Sequence, residues 1–187
     1  MLMLRRVAGS LGIALFLVAI TFVLYARTFA NPDTPVFTVE HEIVISAPAD
    51  AVWRALMDFD AYPEWNPYAL AIEGEAVVGE SISLTIVLDT WAEAATVHPT
   101  IVRLNPRREL AWRDTLLFAG LQDTHHLFEL TRLPNGQTRL RQAEEFSGWL
   151  PAKVYGEAEI SPIERAFRAM NEALVRRIVG ESRAEAE

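Results

Sequence analysis

The side chains best suited to chemistry in this sequence lie between residues 98 and 145: His98, His125 and His126, with Arg113, Asp123, Gln142 and Glu144 around them. Adjacent residues of a strand point to opposite faces, so His125 and His126 cannot hold one metal jointly. His98 falls on another predicted strand, and no regular ligand spacing links it to either. A metal site needs three or four converging ligands, so none is expected. Asp123 and His125 share a face at i, i+2 and have the makings of an acid–base pair. No nucleophile stands at a recognisable spacing, which makes a solvated sheet face the simpler reading. The other face carries Thr124, His126, Phe128 and Leu130. If the apolar pair points inward, so does His126, a candidate polar contact to a ligand. Leu140, Gln142, Glu144 and Phe146 share a face in the same way, opposite Arg139, Arg141, Ala143 and Glu145. Glu144 would then be a carboxyl in an apolar interior, where burial raises a carboxylate's pKa and suits it to proton transfer. Arg113, within Ala111-Trp112-Arg113-Asp114, is a candidate partner for it. A purely structural ion pair fits equally well.

Other chemistry is absent. The chain has no cysteine, which excludes disulfides, thiolate zinc sites and thiol catalysis. It has no phosphate-binding glycine loop, serine-nucleophile motif or EF-hand loop. No cofactor is expected.

The elements that position these residues are legible from periodicity. Residues 36–46 alternate as a strand. Pro48 stands near a helix start, and Val52, Trp53, Leu56 and Phe59 recur at helical spacing. Residues 60–67 form a turn-rich segment. Strands are predicted over 68–76, 80–90, 93–104, 109–116, 121–132 and 137–147, separated by Gly74, Gly79, Asn105-Pro106, Gly120 and Pro134-Asn135-Gly136. Short links imply antiparallel pairing. Ser161-Pro162-Ile163-Glu164 reads as a capping box that opens a helix. Its apolar stripe is Ile163, Phe167, Met170, Leu174 and Ile178, and Gly180 is its expected cap. One amphipathic helix covering one face of a curved antiparallel sheet leaves a gap between them, the physical basis for expecting a cavity.

Residues 7–26 carry no charge, with Arg5 and Arg6 before them and Arg27 after. Such a helix is long enough for a bilayer core of roughly 30 Å. It is expected to be a single transmembrane anchor, residues 1–30, followed by a linker at 31–37 broken by Pro32 and Pro35. A signal peptide cleaved near Thr28-Phe29-Ala30 and a buried soluble helix are the alternatives. The flanking arginines favour a cytoplasmic N-terminus and a domain on the non-cytoplasmic side. Without residues 1–30 the chain carries 14 basic and 25 acidic residues, a net of −11. No basic face for nucleic acid appears, and none is expected to bind.

Ile45-Ser46-Ala47-Pro48-Ala49-Asp50-Ala51-Val52-Trp53, followed by Asp58-Phe59-Asp60-Ala61-Tyr62-Pro63-Glu64-Trp65-Asn66-Pro67, resembles the opening of the SRPBCC superfamily, the START-like, helix-grip group that includes polyketide cyclase/dehydrase-like proteins. Gly136-Gln137-Thr138-Arg139-Leu140 with Glu144-Glu145-Phe146-Ser147-Gly148 resembles its last hairpin, and Met170-Asn171-Glu172-Ala173-Leu174 its closing helix. The resemblance covers about 38–180, leaving 181–187 as a disordered tail. It implies an α+β helix-grip fold, with a curved seven-stranded antiparallel sheet around a long C-terminal helix. It also implies a deep apolar pocket that takes lipids or other hydrophobic small molecules. The candidate pocket residues are Trp53, Trp65, Tyr68, Trp91, Trp112, His126, Phe128, Glu144, Phe146, Phe167 and Met170. No residue is assigned as catalytic. Binding of a hydrophobic molecule without catalysis is the first expectation. A cyclase- or dehydratase-like enzyme using Glu144, Arg113 or His126 is the second, and a membrane-attached interaction module the third.

Overall fold

The computed structural model describes residues 15–25 and 34–184. Residues 15–25 form a helix, α1. The expected span at 7–26 extends beyond these residues. No helix among the described residues is long and apolar enough to cross a membrane.

The domain opens with β1 (Phe37–Ile45) and α2 (Ala49–Met57), then a 3-10 turn (Phe59–Ala61) and α3 (Tyr62–Trp65). Val52 and Leu56 of α2 are fully buried, as the helical spacing predicts. Tyr62 ties the turn back by donating its hydroxyl to the Leu56 carbonyl oxygen at 2.9 Å. Seven more strands follow: β2 (Ala69–Glu73), β3 (Ser83–Ile86), β4 (Ala95–Val97), β5 (Thr100–Asn105), β6 (Glu109–Thr115), β7 (Asp123–Arg132) and β8 (Thr138–Ser147). A short α4 (Pro151–Val154) leads into the long α5 (Glu157–Ala184).

The fold is the expected α+β helix grip, but the strand count is corrected. Eight strands form two antiparallel sheets, ordered β1-β8-β7-β6-β5 and β2-β3-β4. The difference arises at Pro99, inside the predicted strand 93–104. A proline has no N–H to give to a ladder, and the strand divides there into β4 and β5. The sheets still meet at this break. Ser81 bridges Thr100, Ile82 N–H donates to the Pro99 carbonyl at 3.0 Å, and Ile101 N–H to the Glu80 carbonyl at 2.9 Å. The result is one curved wall with a seam.

α5 lies within the curve. Ile163, Phe167, Met170, Leu174 and Ile178 are all buried against it, and apolar burial of this kind is the main stabilising term of such a fold. Both expected ends of this helix are corrected. It begins one turn before Ser161, because the Glu159 carboxylate accepts the Gly156 N–H at 2.8 Å and caps an earlier start. Pro162 therefore sits inside the helix, where its missing N–H leaves the Ala158 carbonyl without the usual i+4 donor. The helix also runs through Gly180 to Ala184, so the first four residues of the expected disordered tail are helical.

Candidate functional site

Strand register sorts the inward side chains of the five-stranded sheet into rows. Nearest the β6–β7 loop, Phe37, Phe146, Thr124 and Asp114 stand side by side. The next row is Val39, Glu144, His126, Trp112 and Ile101. The third is His41, Gln142, Phe128 and Leu110. Each of these rows thus carries two polar side chains, and the two carboxylates, Asp114 and Glu144, stand in the two rows nearest the loop.

A cavity of about 210 Å³ lies over these rows. The five-stranded sheet supplies Trp112, Asp114, Thr124, His126, Phe128, Glu144 and Phe146. The smaller sheet and its loops supply Ala69, Leu84, Ile86, Leu88, Trp91 and Val97, and the roof holds Tyr155, Ile163 and Met170. This volume is below the ~300 Å³ of most ligand pockets. It exceeds the ~150 Å³ that suffices to hold benzene in an apolar protein cavity.

Eight of the eleven sequence-nominated residues line this space: Tyr68, Trp91, Trp112, His126, Phe128, Glu144, Phe146 and Met170. Trp53, Trp65 and Phe167 do not. Trp53 and Trp65 pack half-buried against the outside of the core. Phe167 is fully buried and supports the lining from behind, its ring 5.1 Å from that of His126 and 5.8 Å from that of Tyr68.

His126 is the most constrained polar residue here. Its ring stacks on Trp112 at 4.9 Å, with 12° between the planes. Gln142 Nε2 donates to its Nε2 at 3.3 Å and also reaches Met170 Sδ at 3.4 Å. With Nε2 accepting, the ring proton sits on Nδ1, which faces Glu144 Oε2 at 3.8 Å. Gln142 is itself fully buried, and its Oε1 has no partner among the described residues.

The two pairings considered for these residues do not form. Arg113 is exposed and alternates with Trp112, which places it on the outer face, across the sheet from Glu144. Asp123 does not meet His125. It accepts from Thr115 Oγ1 at 2.7 Å and from the Gly120 N–H at 2.6 Å, and so ties down the β6–β7 loop. His125 pairs instead with Glu145 across the outer face, Nδ1 to Oε2 at 3.0 Å. Among the described residues no group of three or more His, Cys, Asp or Glu is arranged to hold a metal ion.

Sequence reasoning missed Asp114 and Tyr155. Asp114 was readable, since it alternates in phase with Trp112. Tyr155 follows α4 and had no periodic signal. Its hydroxyl donates to Gln122 Oε1 at 3.2 Å. Burial pushes the Tyr68 phenol well above its ordinary pKa, and the charge of Glu144 adds to the shift. Burial raises Tyr155 too, against the lowering effect of its Gln122 bond and with smaller help from Glu144 and Glu159. The field of Glu144 therefore reaches both hydroxyls.

Beyond the row of Asp114 and Thr124, two loops are joined by hydrogen bonds. Trp149 N–H donates to the Gly120 carbonyl at 2.9 Å and Leu150 N–H to the Leu121 carbonyl at 2.8 Å. The α1 residue Phe22 stands edge-on to Trp149, with ring centroids 5.2 Å apart.

Residues 36–179 match the profile of a family described as polyketide cyclase / dehydrase and lipid transport. No curated protein matches the sequence. Three solved structures illustrate the likeness. A START superfamily protein from Mycobacterium smegmatis has a TM-score of 0.60 at 16% identity, over 76% of this chain and 97% of that one. A protein from Mesorhizobium loti has 0.57 at 21%, over 78% and 98%. The ZhuI aromatase/cyclase from Streptomyces sp. R1128 has 0.54 at 20%, over 81% and 96%. At such identities the likeness concerns the fold alone.

Proposed function

We propose, given that this chain belongs to the polyketide cyclase / dehydrase and lipid transport family, that it binds a small apolar molecule in the cavity beneath α5 without transforming it. Binding takes place beside a membrane to which residues 7–26 tether the domain. The observation that carries this reading is the cavity itself: about 210 Å³, walled mainly by aromatic and aliphatic side chains. A ring-sized molecule entering it exchanges water for apolar contact on nearly all sides. The tether is supported by the uncharged run 7–26 between arginines and by the Phe22–Trp149 contact, which brings α1 beside the two joined loops. Leu116 and Leu117, exposed on one of these loops, are apolar as well.

One observation favours a second, enzymatic reading: Glu144 and His126 are neighbours in the cavity wall, as an acid–base pair would be. The third group that reading relied on, Arg113, is on the other side of the sheet. A lone dyad without a converging electrophile or nucleophile is a weak basis for cyclase chemistry, and binding remains the better-supported function.

The test is titration of the full chain, held in phosphatidylcholine nanodiscs, with naphthalene, a neutral probe of suitable size. Saturable binding is expected, seen as a shift of the His126 ring resonances (assigned with His126→Gln). Val97→Phe, which fills the cavity from its half-exposed edge, should weaken it without lowering the melting temperature. Absence of saturable binding in the wild type sinks the reading. Retention of the full chain in membranes after a carbonate wash tests the tether.

A further inference from the structure

The charges of the cavity wall select among apolar ligands. Two carboxylates line the space, Asp114 and Glu144, and none of its lining residues is Lys or Arg. Arg113, the nearest cation in sequence, is turned outward and exposed. The one lining group that can gain a positive charge is His126. Were it protonated, it would neutralise only Glu144, and Asp114 would still leave the wall negative. The domain around it is acidic too, with a net of −11 beyond residue 30. A ligand carboxylate or phosphate brought here would lose hydration and meet like charge. Neither cost would be offset.

A cation would be met on several sides. The two acids occupy adjacent rows at the loop end of the cavity. Aromatic side chains line the same cavity: Trp112, Tyr68, Tyr155 and the partly exposed Trp91. Aromatic faces attract cations, most strongly where water is excluded. Burial is the main cause of the raised phenol pKa of Tyr68 and Tyr155, and the charge of Glu144 adds to both.

We infer that the cavity takes a small apolar amine, its protonated nitrogen held between Glu144 and Asp114 and its hydrocarbon body against Trp112, Leu84 and Ile86. This rests on the reading of the cavity as a ligand site, and it names the class of ligand that site admits.

The experiment compares three probes that differ only in the head group: 4-phenylbutylamine, 4-phenylbutanol and 4-phenylbutyrate. The full chain in phosphatidylcholine nanodiscs is titrated at pH 7 and read at the His126 ring signals, with naphthalene as the neutral reference. The amine should bind at least about tenfold tighter than the butyrate, with the alcohol between them. Glu144→Gln should narrow the spread of the three affinities, and Glu144→Gln together with Asp114→Asn should bring them within about threefold of one another, while Glu145→Gln, on the outer face, should leave the order intact. Equal or tighter binding of the butyrate or the alcohol overturns the inference, as does an amine preference that survives both Glu144→Gln and Asp114→Asn. If naphthalene binds and the amine is not preferred, the inference fails alone. If naphthalene does not bind, the ligand-site reading fails with it.

Discussion

Glu144 Oε2 lies 3.8 Å from His126 Nδ1 on the inner face of the sheet, while in the neighbouring register pair Glu145 Oε2 lies 3.0 Å from His125 Nδ1 on the outer face. The two pairs have the same chemistry but different surroundings. The side chain of His126 is 4% exposed and that of His125 15%. Only His126 is clasped by rings, those of Trp112, Phe128 and Phe167.

The first prediction follows from that contrast. His126→Ala removes a ring packed on three aromatics and should cost about 2–4 kcal/mol, in the range of large-to-small core substitutions. His125→Ala loses a partly exposed pair and should cost less than about 1 kcal/mol. Urea denaturation of both variants checks this. Equal losses would mean that the inner face is not packed as described.

Alkaline pH should destabilise the fold. Tyr62, Tyr68 and Tyr155 are three of the four tyrosines. All have phenol pKa values raised above the ordinary 10.0, chiefly by burial. Below pH 10 these groups are neutral in both folded and unfolded chains, and their contribution is fully present. As pH rises past 10, the unfolded chain releases protons that the folded chain retains, so stability falls. The urea midpoint should therefore drop between pH 9 and pH 11. In Tyr155→Phe the drop should be smaller. Absorbance at 295 nm should show these phenols ionising late and together with unfolding.

Alternation along strands made most of this site legible. Taking Phe128 and Phe146 as inward put His126 and Glu144 inward as well, and both line the cavity. The same rule, applied to Trp112, turns Arg113 outward and Asp114 inward. Pairing Arg113 with Glu144 gave opposite charge more weight than strand period. The seam at Pro99 was equally readable, since a proline inside a predicted central strand argues against continuity. The start of α5 was not. A well-formed capping signature at Ser161 was overridden because Glu159 caps the chain one turn earlier, a choice that depends on how α4 delivers the chain to Gly156. Tyr155 could not be found from the sequence either, because it reaches the cavity through a loop with no period to follow.

Gly148 is expected to tolerate no side chain. Its φ is +105°, a conformation that suits glycine, and a Cβ there would stand 2.7 Å from the Leu121 carbonyl oxygen, with the backbone unable to yield cheaply. Gly148→Ala should cost about 1–3 kcal/mol. It should also loosen the two hydrogen bonds that join residues 149 and 150 to the β6–β7 loop. Faster amide exchange at Trp149 and Leu150, beyond the global change, would report this. Unchanged exchange at those two amides would show that the loops are held together by something else.

Phe167 offers a way to enlarge the cavity from behind. It is fully buried and supports His126 and Tyr68 without lining the space itself. Phe167→Ala should destabilise the domain by about 3–5 kcal/mol, because the removed ring leaves a void that a helix pinned by Ile163, Met170 and Leu174 closes only in part. That void adjoins the existing cavity through the His126 ring. A larger neutral aromatic such as anthracene should then bind the variant more tightly than the wild type and return part of the lost stability, since a ligand that binds only the folded chain stabilises it by mass action. The measurement is the melting temperature of wild type and variant with and without anthracene. A larger rise in the variant supports the arrangement. A rise in neither would mean that the wall behind His126 collapses inward, and that Phe167 fixes the position of the helix more than it bounds the cavity.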